Sequence, residues 1–153
     1  SLYPFMSKSK DIRKFKIIFI STIVLNLFGL FFLFAFGEHI LKIVFNDADI
    51  IESVNVLKIL CFVLIITVPS IMIGYPLLSA FGYPKYPNRS VHFAAIFHLI
   101  GLLILHTYNE LNFITVAYLL LGTQSVDLSY RLYGMFKTGL FNALIKNDFS
   151  QIN

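Results

Sequence analysis

The stretch GTQSVDLSYR brings an amide, a carboxylate and a guanidinium close together in the sequence, at Gln124, Asp127 and Arg131. In a helix that turns by about 100° per residue, Asp127 lies about 60° from Gln124, and Arg131 lies about 40° from Asp127. All three therefore share one face. The acid precedes the base by four residues, which is the favourable order for an ion pair. This face offers ligand binding or ion coupling rather than covalent chemistry.

The surroundings of these residues make them unusual. They follow the apolar run FITVAYLLLG, which is typical of a helix in lipid, where a carboxylate and a guanidinium are costly. Two interpretations remain open. In the first, Arg131 snorkels to the cytoplasmic headgroups and Asp127 only neutralises it. In the second, Gln124, Asp127 and Arg131 line a polar path near its cytoplasmic mouth.

The composition indicates a membrane protein. Of the 153 residues, 58% are hydrophobic and 13% are charged, against about 25% charged residues in a soluble domain. Four stretches approach the ~20 apolar residues that a spanning helix needs, at about residues 15–37, 56–82, 90–106 and 112–136. Their hydrophobicity is continuous rather than alternating, which favours helices. The sequence therefore predicts an all-α membrane protein with four transmembrane helices.

The connections predict the orientation of these helices. With four spans, ten of the twelve Lys and Arg residues fall on one side of the membrane, and only Lys42 and Lys58 fall on the other. By the positive-inside rule, both ends of the chain face the cytoplasm. Residues 38–55 then form an outer loop, where the helical spacing of Ile40, Ile43 and Val44 predicts a short interfacial helix.

Other polar residues and prolines occur within the predicted spans. Asn26 lies on a stripe of small and polar residues, which indicates either helix packing or a cavity wall. His98 lies near mid-membrane, which favours a hydrogen-bonded interior histidine and leaves a proton-linked role open. Pro69 and Pro76 interrupt the second span, and their kinks suit either a hinge or a static bend.

No pattern for catalysis or for a bound cofactor is found. The sequence has no nucleophile elbow, phosphate-binding loop or paired-cysteine motif, and its histidines do not share a metal-binding face. We therefore predict no enzyme activity, no metal and no cofactor. The basic stretch KSKDIRKFK is interpreted as a topology determinant and lipid contact rather than a nucleic-acid site. The start SLYPFMSKSK has no initiator Met, which favours an internal start in a longer protein.

Several stretches together resemble a known family. They are LYPFMSKS near the start, FNDADIIESVNVLKIL with VLKILCF in and after the outer loop, and GYPLLSAFGYPK at the end of the second span. The chain resembles the C-terminal portion of polysaccharide-biosynthesis flippases, the Wzx-type O-antigen translocases. These belong to the multidrug/oligosaccharidyl-lipid/polysaccharide (MOP) exporter superfamily. The resemblance covers most of the chain.

The resemblance implies a larger MATE/MOP-like helical bundle, of which this chain would form the C-terminal part and further N-terminal helices the rest. It implies flipping of undecaprenyl-diphosphate-linked oligosaccharide across the bacterial inner membrane, with this lipid-linked oligosaccharide and membrane lipids as partners. Arg131 would be a candidate diphosphate contact, and Asp127 its partner or an ion-coupling group. A drug/cation antiporter of the same superfamily and a non-transporting structural membrane subunit are the alternatives.

Overall fold

The protein is described by a computed structural model that covers residues 2–9, 11–44 and 50–146. Every regular element in these ranges is a helix. The elements are α1 (Leu2–Ser9), α2 (Ile12–Val44), α3 (Ile50–Met72), a π-helical segment (Ile73–Ser79) that continues α3, α4 (Lys85–Thr107), α5 (Phe113–Lys137) and α6 (Leu140–Lys146). The predicted all-α class is confirmed.

Within the described ranges, three helical stretches are long and apolar enough to cross a membrane: Ile12–Ile43, Glu52–Ser79 and Lys85–Thr107. They indicate a membrane protein. The predicted count of four is not confirmed, because α5 has sufficient length but falls outside this group. Its second half carries the polar residues Gln124, Asp127 and Arg131, which lower its hydropathy.

Local sequence signals explain where the helices begin and end. The carboxylate of Asp11 accepts hydrogen bonds from the backbone amides of Arg13 and Lys14 at 3.1 and 3.2 Å and so caps the start of α2. The bond from Lys14 contributes most to lowering the pKa of Asp11. At the start of α5, Asn112 and Thr115 form a reciprocal capping box. Gly139 follows α5 with a φ of 73°, a left-handed conformation that suits the turn into α6.

The structure differs from the prediction for the outer loop. Helix α2 continues without interruption to Val44, where the sequence predicted a separate interfacial helix. An ion pair between Glu38 and Lys42, at 2.8 Å and four residues apart, supports this continuation. The rest of the predicted loop up to position 49 lies outside the described residues.

Helix α5 packs against both α3 and α4, and α2 lies against α3. The most enclosed apolar core lies at one end of this bundle, where α1 and α6 join the π-helical segment. Met6 of α1, Leu77 of the π-helical segment and Leu140 of α6 are fully buried there. The two short helices α1 and α6 were not predicted from the sequence. They close the end of the bundle near which Asp127 and Arg131 lie.

Candidate functional site

The predicted ion pair is present in α5. The Nη2 atom of Arg131 lies 3.1 Å from Oδ1 of Asp127. Both residues are buried, with 5% of Arg131 and 7% of Asp127 exposed. Burial at this level favours a position of Arg131 within the bundle over a free extension to the headgroup region. The pair instead points into the helix bundle.

Arg131 connects α5 to both neighbouring helices. Its Nε–H donates to the hydroxyl of Ser90 in α4 at 3.0 Å, and its Nη1 donates to the backbone carbonyl of Ser70 in α3 at 2.8 Å. With the contact to Asp127, all three guanidinium nitrogens have partners on three different helices. Arginine suits this position because its planar fork holds several donors in fixed directions.

Serine hydroxyls complete the arrangement. The hydroxyl of Ser70 donates to Oδ2 of Asp127 at 2.6 Å, and the hydroxyl of Ser90 donates to the Pro87 carbonyl at 2.8 Å. Both serines have no exposed surface. We call Ser70, Ser90, Asp127 and Arg131 the clamp. Oδ1 of Asp127 receives no hydrogen bond from the described residues, and its 3.1 Å contact with Arg131 is an ion pair.

The α3 region is shaped to admit the guanidinium. Gly74 is the second residue of the π-helical segment, and a Cβ at this glycine would collide with Nη1 of Arg131 and lie 3.0 Å from its Cζ. The absence of a side chain at Gly74 is therefore a condition for the clamp. π-helical insertions interrupt the regular hydrogen-bond ladder and are frequent at functional sites.

The clamp borders a groove of about 620 Å³ between α3, α4 and α5. Its polar lining comes from six residues: Thr67, His98, Thr123, Gln124, Asp127 and Arg131. Apolar side chains complete the walls: Ile71, Val91, Ala94, Ala95, Leu99 and Leu120. A concave surface with apolar walls and a few converging polar groups is typical of a small-molecule site.

Histidine and threonine side chains connect α4 to α5 along this groove. Nδ1 of His98 lies 2.9 Å from Oγ1 of Thr123, and the Thr123 hydroxyl donates to the Leu119 carbonyl at 2.8 Å. His98 is half-buried, whereas His92 and His106 on the same helix are exposed. The structure agrees with the expectation of a hydrogen-bonded interior histidine. A proton-linked role for His98 stays a prediction.

The structure brings four of the five substrate-path candidates together and separates the fifth. Gln124, Asp127, Arg131 and His98 all line the groove, whereas Asn26 lies on α2 and donates to the Leu64 carbonyl of α3 at 3.4 Å. Asn26 thus joins two helices, as the packing interpretation expected. The role of all five residues in a substrate path stays a prediction.

The two predicted hinge residues lie in different kinds of helix. Pro69 is inside the α-helical part of α3, and Pro76 is inside the π-helical segment. A proline in a helix removes one backbone donor, which suits a change in the hydrogen-bond register. One structure fits both a hinge and a static bend, so the hinge role stays a prediction.

Sequence reasoning missed the hydroxyl residues that hold the ion pair and His98 in place. Ser70, Ser90 and Thr123 are small hydroxyl residues that occur singly in apolar helices, where their usual role is local bonding to the backbone. The one sequence feature that distinguishes any of the three is that Ser70 directly follows Pro69. Gly74 gave no signal, because its importance depends on a side chain 57 positions away in the sequence.

Among the described residues, no group of three or more His, Cys, Asp or Glu side chains is placed to hold a metal ion. Comparisons with protein-family models, with curated proteins and with solved structures gave no match to this chain. The resemblance to polysaccharide flippases therefore rests on the sequence stretches quoted above.

Proposed function

We propose that the chain is part of a transporter that flips undecaprenyl-diphosphate-linked oligosaccharides from the cytoplasmic to the periplasmic leaflet of a bacterial inner membrane. The products would serve O-antigen or exopolysaccharide synthesis. The observation that supports this proposal is a groove between α3, α4 and α5 in which a few polar side chains converge within an otherwise apolar helix bundle. Such a groove can receive a hydrophilic headgroup while its hydrocarbon chain stays in lipid.

The groove has a suitable volume for one part of such a substrate. A volume of about 620 Å³ lies within the 300–1,000 Å³ range typical of ligand pockets, which is enough for a few sugar units but not for a long oligosaccharide. Further helices of a longer protein would complete the path. In this proposal α5 also crosses the membrane, so that both ends of the chain face the cytoplasm, as its basic residues suggest.

The paired state of Asp127 bears on the alternative of a drug/cation antiporter. A cation site needs an acidic group whose charge is available to the ligand. Asp127 instead lies 3.1 Å from the guanidinium of Arg131 and accepts a hydrogen bond from Ser70. This neutralised carboxylate favours an uncharged or hydroxylated ligand over a cation.

The test is polysaccharide export in the bacterium that encodes the protein. Deletion of the gene should abolish surface polysaccharide and cause lipid-linked repeat units to accumulate. In the full-length protein, His98→Ala and Gln124→Ala should cause partial accumulation at unchanged protein level, because both residues line the groove outside the clamp. His106→Ala is the matched control for His98→Ala, because His106 lies at an exposed position of the same helix, α4.

Each outcome distinguishes between the candidate functions. Normal surface polysaccharide after deletion of the gene would refute the flippase proposal. Drug sensitivity without a polysaccharide defect would support the antiporter. A polysaccharide defect in the deletion strain that both groove variants fully restore would instead support a structural membrane subunit.

A further inference from the structure

The ring nitrogens of His98 have different roles, which the hydrogen bonds of Thr123 determine. The Thr123 hydroxyl has one proton, and it is donated to the Leu119 carbonyl at 2.8 Å. Oγ1 of Thr123 can then only accept from Nδ1 of His98, 2.9 Å away. In this arrangement a neutral His98 carries its proton on Nδ1, which leaves the lone pair of Nε2 for a ligand in the groove that His98 lines.

The other hydroxyl in the groove is also an acceptor. The proton of Thr67 is donated to the Val63 carbonyl of its own helix at 2.8 Å, which leaves only oxygen lone pairs toward the groove. Thr67 and His98 thus present acceptors from α3 and α4. Gln124 on α5 can both accept and donate through its amide.

The cationic group that lines the groove, the guanidinium of Arg131, already has partners within the protein. Arg131 contacts Asp127, the Ser90 hydroxyl and the Ser70 carbonyl, and only 5% of its surface is exposed. A phosphate that entered the groove would meet acceptors at Thr67 and His98 and would have to displace partners of Arg131. An ammonium group would meet no unpaired carboxylate charge.

From this pattern we propose that the groove binds the neutral, hydroxyl-bearing part of its ligand through Thr67, His98 and Gln124, and does not bind the diphosphate. Hydroxyl groups are the ligands that match, because each donates a proton to an acceptor and can still accept from the Gln124 amide. This inference deepens the proposed function and rests on it for the nature of the cargo. The diphosphate would then contact residues outside the groove.

The test uses the full-length protein, labelled with ¹⁵N-histidine, in liposomes and studied by solid-state NMR. The probes are octyl glucoside, octyl phosphate and octyltrimethylammonium at equal mole fractions in the bilayer, so that only the headgroup differs. We expect the His98 ring to show the Nδ1–H tautomer. Octyl glucoside should shift its Nε2 resonance saturably, while the two charged probes leave it unchanged. His106 in the same sample is the internal control.

Two substitutions of Thr123 test the role of its hydroxyl. Thr123→Val keeps the shape but removes the hydroxyl, so that His98 is no longer held in the Nδ1–H tautomer. The apparent affinity for octyl glucoside should fall by between about twofold and tenfold. Thr123→Ser keeps the hydroxyl and should keep both the tautomer and the affinity. A Nε2–H tautomer, an equal response to octyl phosphate or octyltrimethylammonium, or no response to any probe would overturn the proposal.

The result of this binding experiment can be distinguished from the result of the export experiment. If the glucoside binds selectively but the deletion strain makes normal polysaccharide, the groove assignment stands and the flippase function fails. If export fails in the deletion strain but the phosphate probe binds at His98, the flippase function stands. The proposal that the groove binds hydroxyl groups then fails.

Discussion

Helices α2 and α5 show opposite relations between hydropathy and burial. The most apolar window of α2 has a mean hydropathy of 2.6, yet only 6% of it is buried. Helix α5 is not apolar enough to count among the spanning helices, yet it packs against both α3 and α4. The helix that carries the ion pair is thus packed between two others, whereas α2, which is well suited to lipid, is little buried.

The polar groups of these two helices differ in the same way. Asn26 of α2 makes one long hydrogen bond of 3.4 Å to a backbone carbonyl of α3. Arg131 of α5 makes three contacts of 3.1 Å or less, to Asp127, Ser70 and Ser90. We infer that the clamp contributes to holding the bundle together, whereas Asn26 adds little.

The largest expected effect comes from removing one member of the buried pair. Arg131→Met should leave the Asp127 carboxylate buried without its counter-ion, at a cost of about 3–5 kcal/mol. Unfolding of the purified chain by increasing sodium dodecyl sulfate in mild detergent, followed by circular dichroism of the helices, measures the loss. Arg131→Lys should recover only part of it, because an ammonium cannot replace the planar fork.

The double variant Asp127→Leu/Arg131→Met is the control for this prediction. It removes both charges and should be considerably more stable than Arg131→Met alone, since no unpaired charge remains. If the double variant loses the sum of the two single losses, the two residues are energetically independent, and the contrast between α5 and α2 would have to be explained by packing alone.

Much of the helical organisation could be predicted, because it depends on local sequence. The predicted third and fourth spans, at 90–106 and 112–136, differ from α4 and α5 by a few residues, since apolar runs and turns determine them. The shared face of Gln124, Asp127 and Arg131 also follows from helix geometry alone. Partners from other helices, such as Ser70 and Ser90, depend on how the helices pack, and no local pattern marks them.

A smaller effect is expected at Gly74, which gives the guanidinium its space. Gly74→Ala would place a methyl group against Nη1 of Arg131, and overpacking of this kind costs about 1–3 kcal/mol. The same unfolding measurement detects it. In the Arg131→Met background the added cost should be much lower, because the planar guanidinium is absent. Gly29→Ala on α2, where a Cβ would meet nothing within 4 Å, is the matched control.

The smallest effect is expected on α2. Asn26→Leu removes one long hydrogen bond, and polar contacts between membrane helices contribute about 0.6 kcal/mol on average. Ser21→Leu, at an exposed position of the same helix, should have no measurable effect on the unfolding midpoint. A loss at Asn26 comparable to that of Arg131→Met would mean that α2 is held to the bundle as firmly as α5. Burial would then no longer distinguish the two helices, and the stripe around Asn26 would have to be treated as a second polar centre of the bundle.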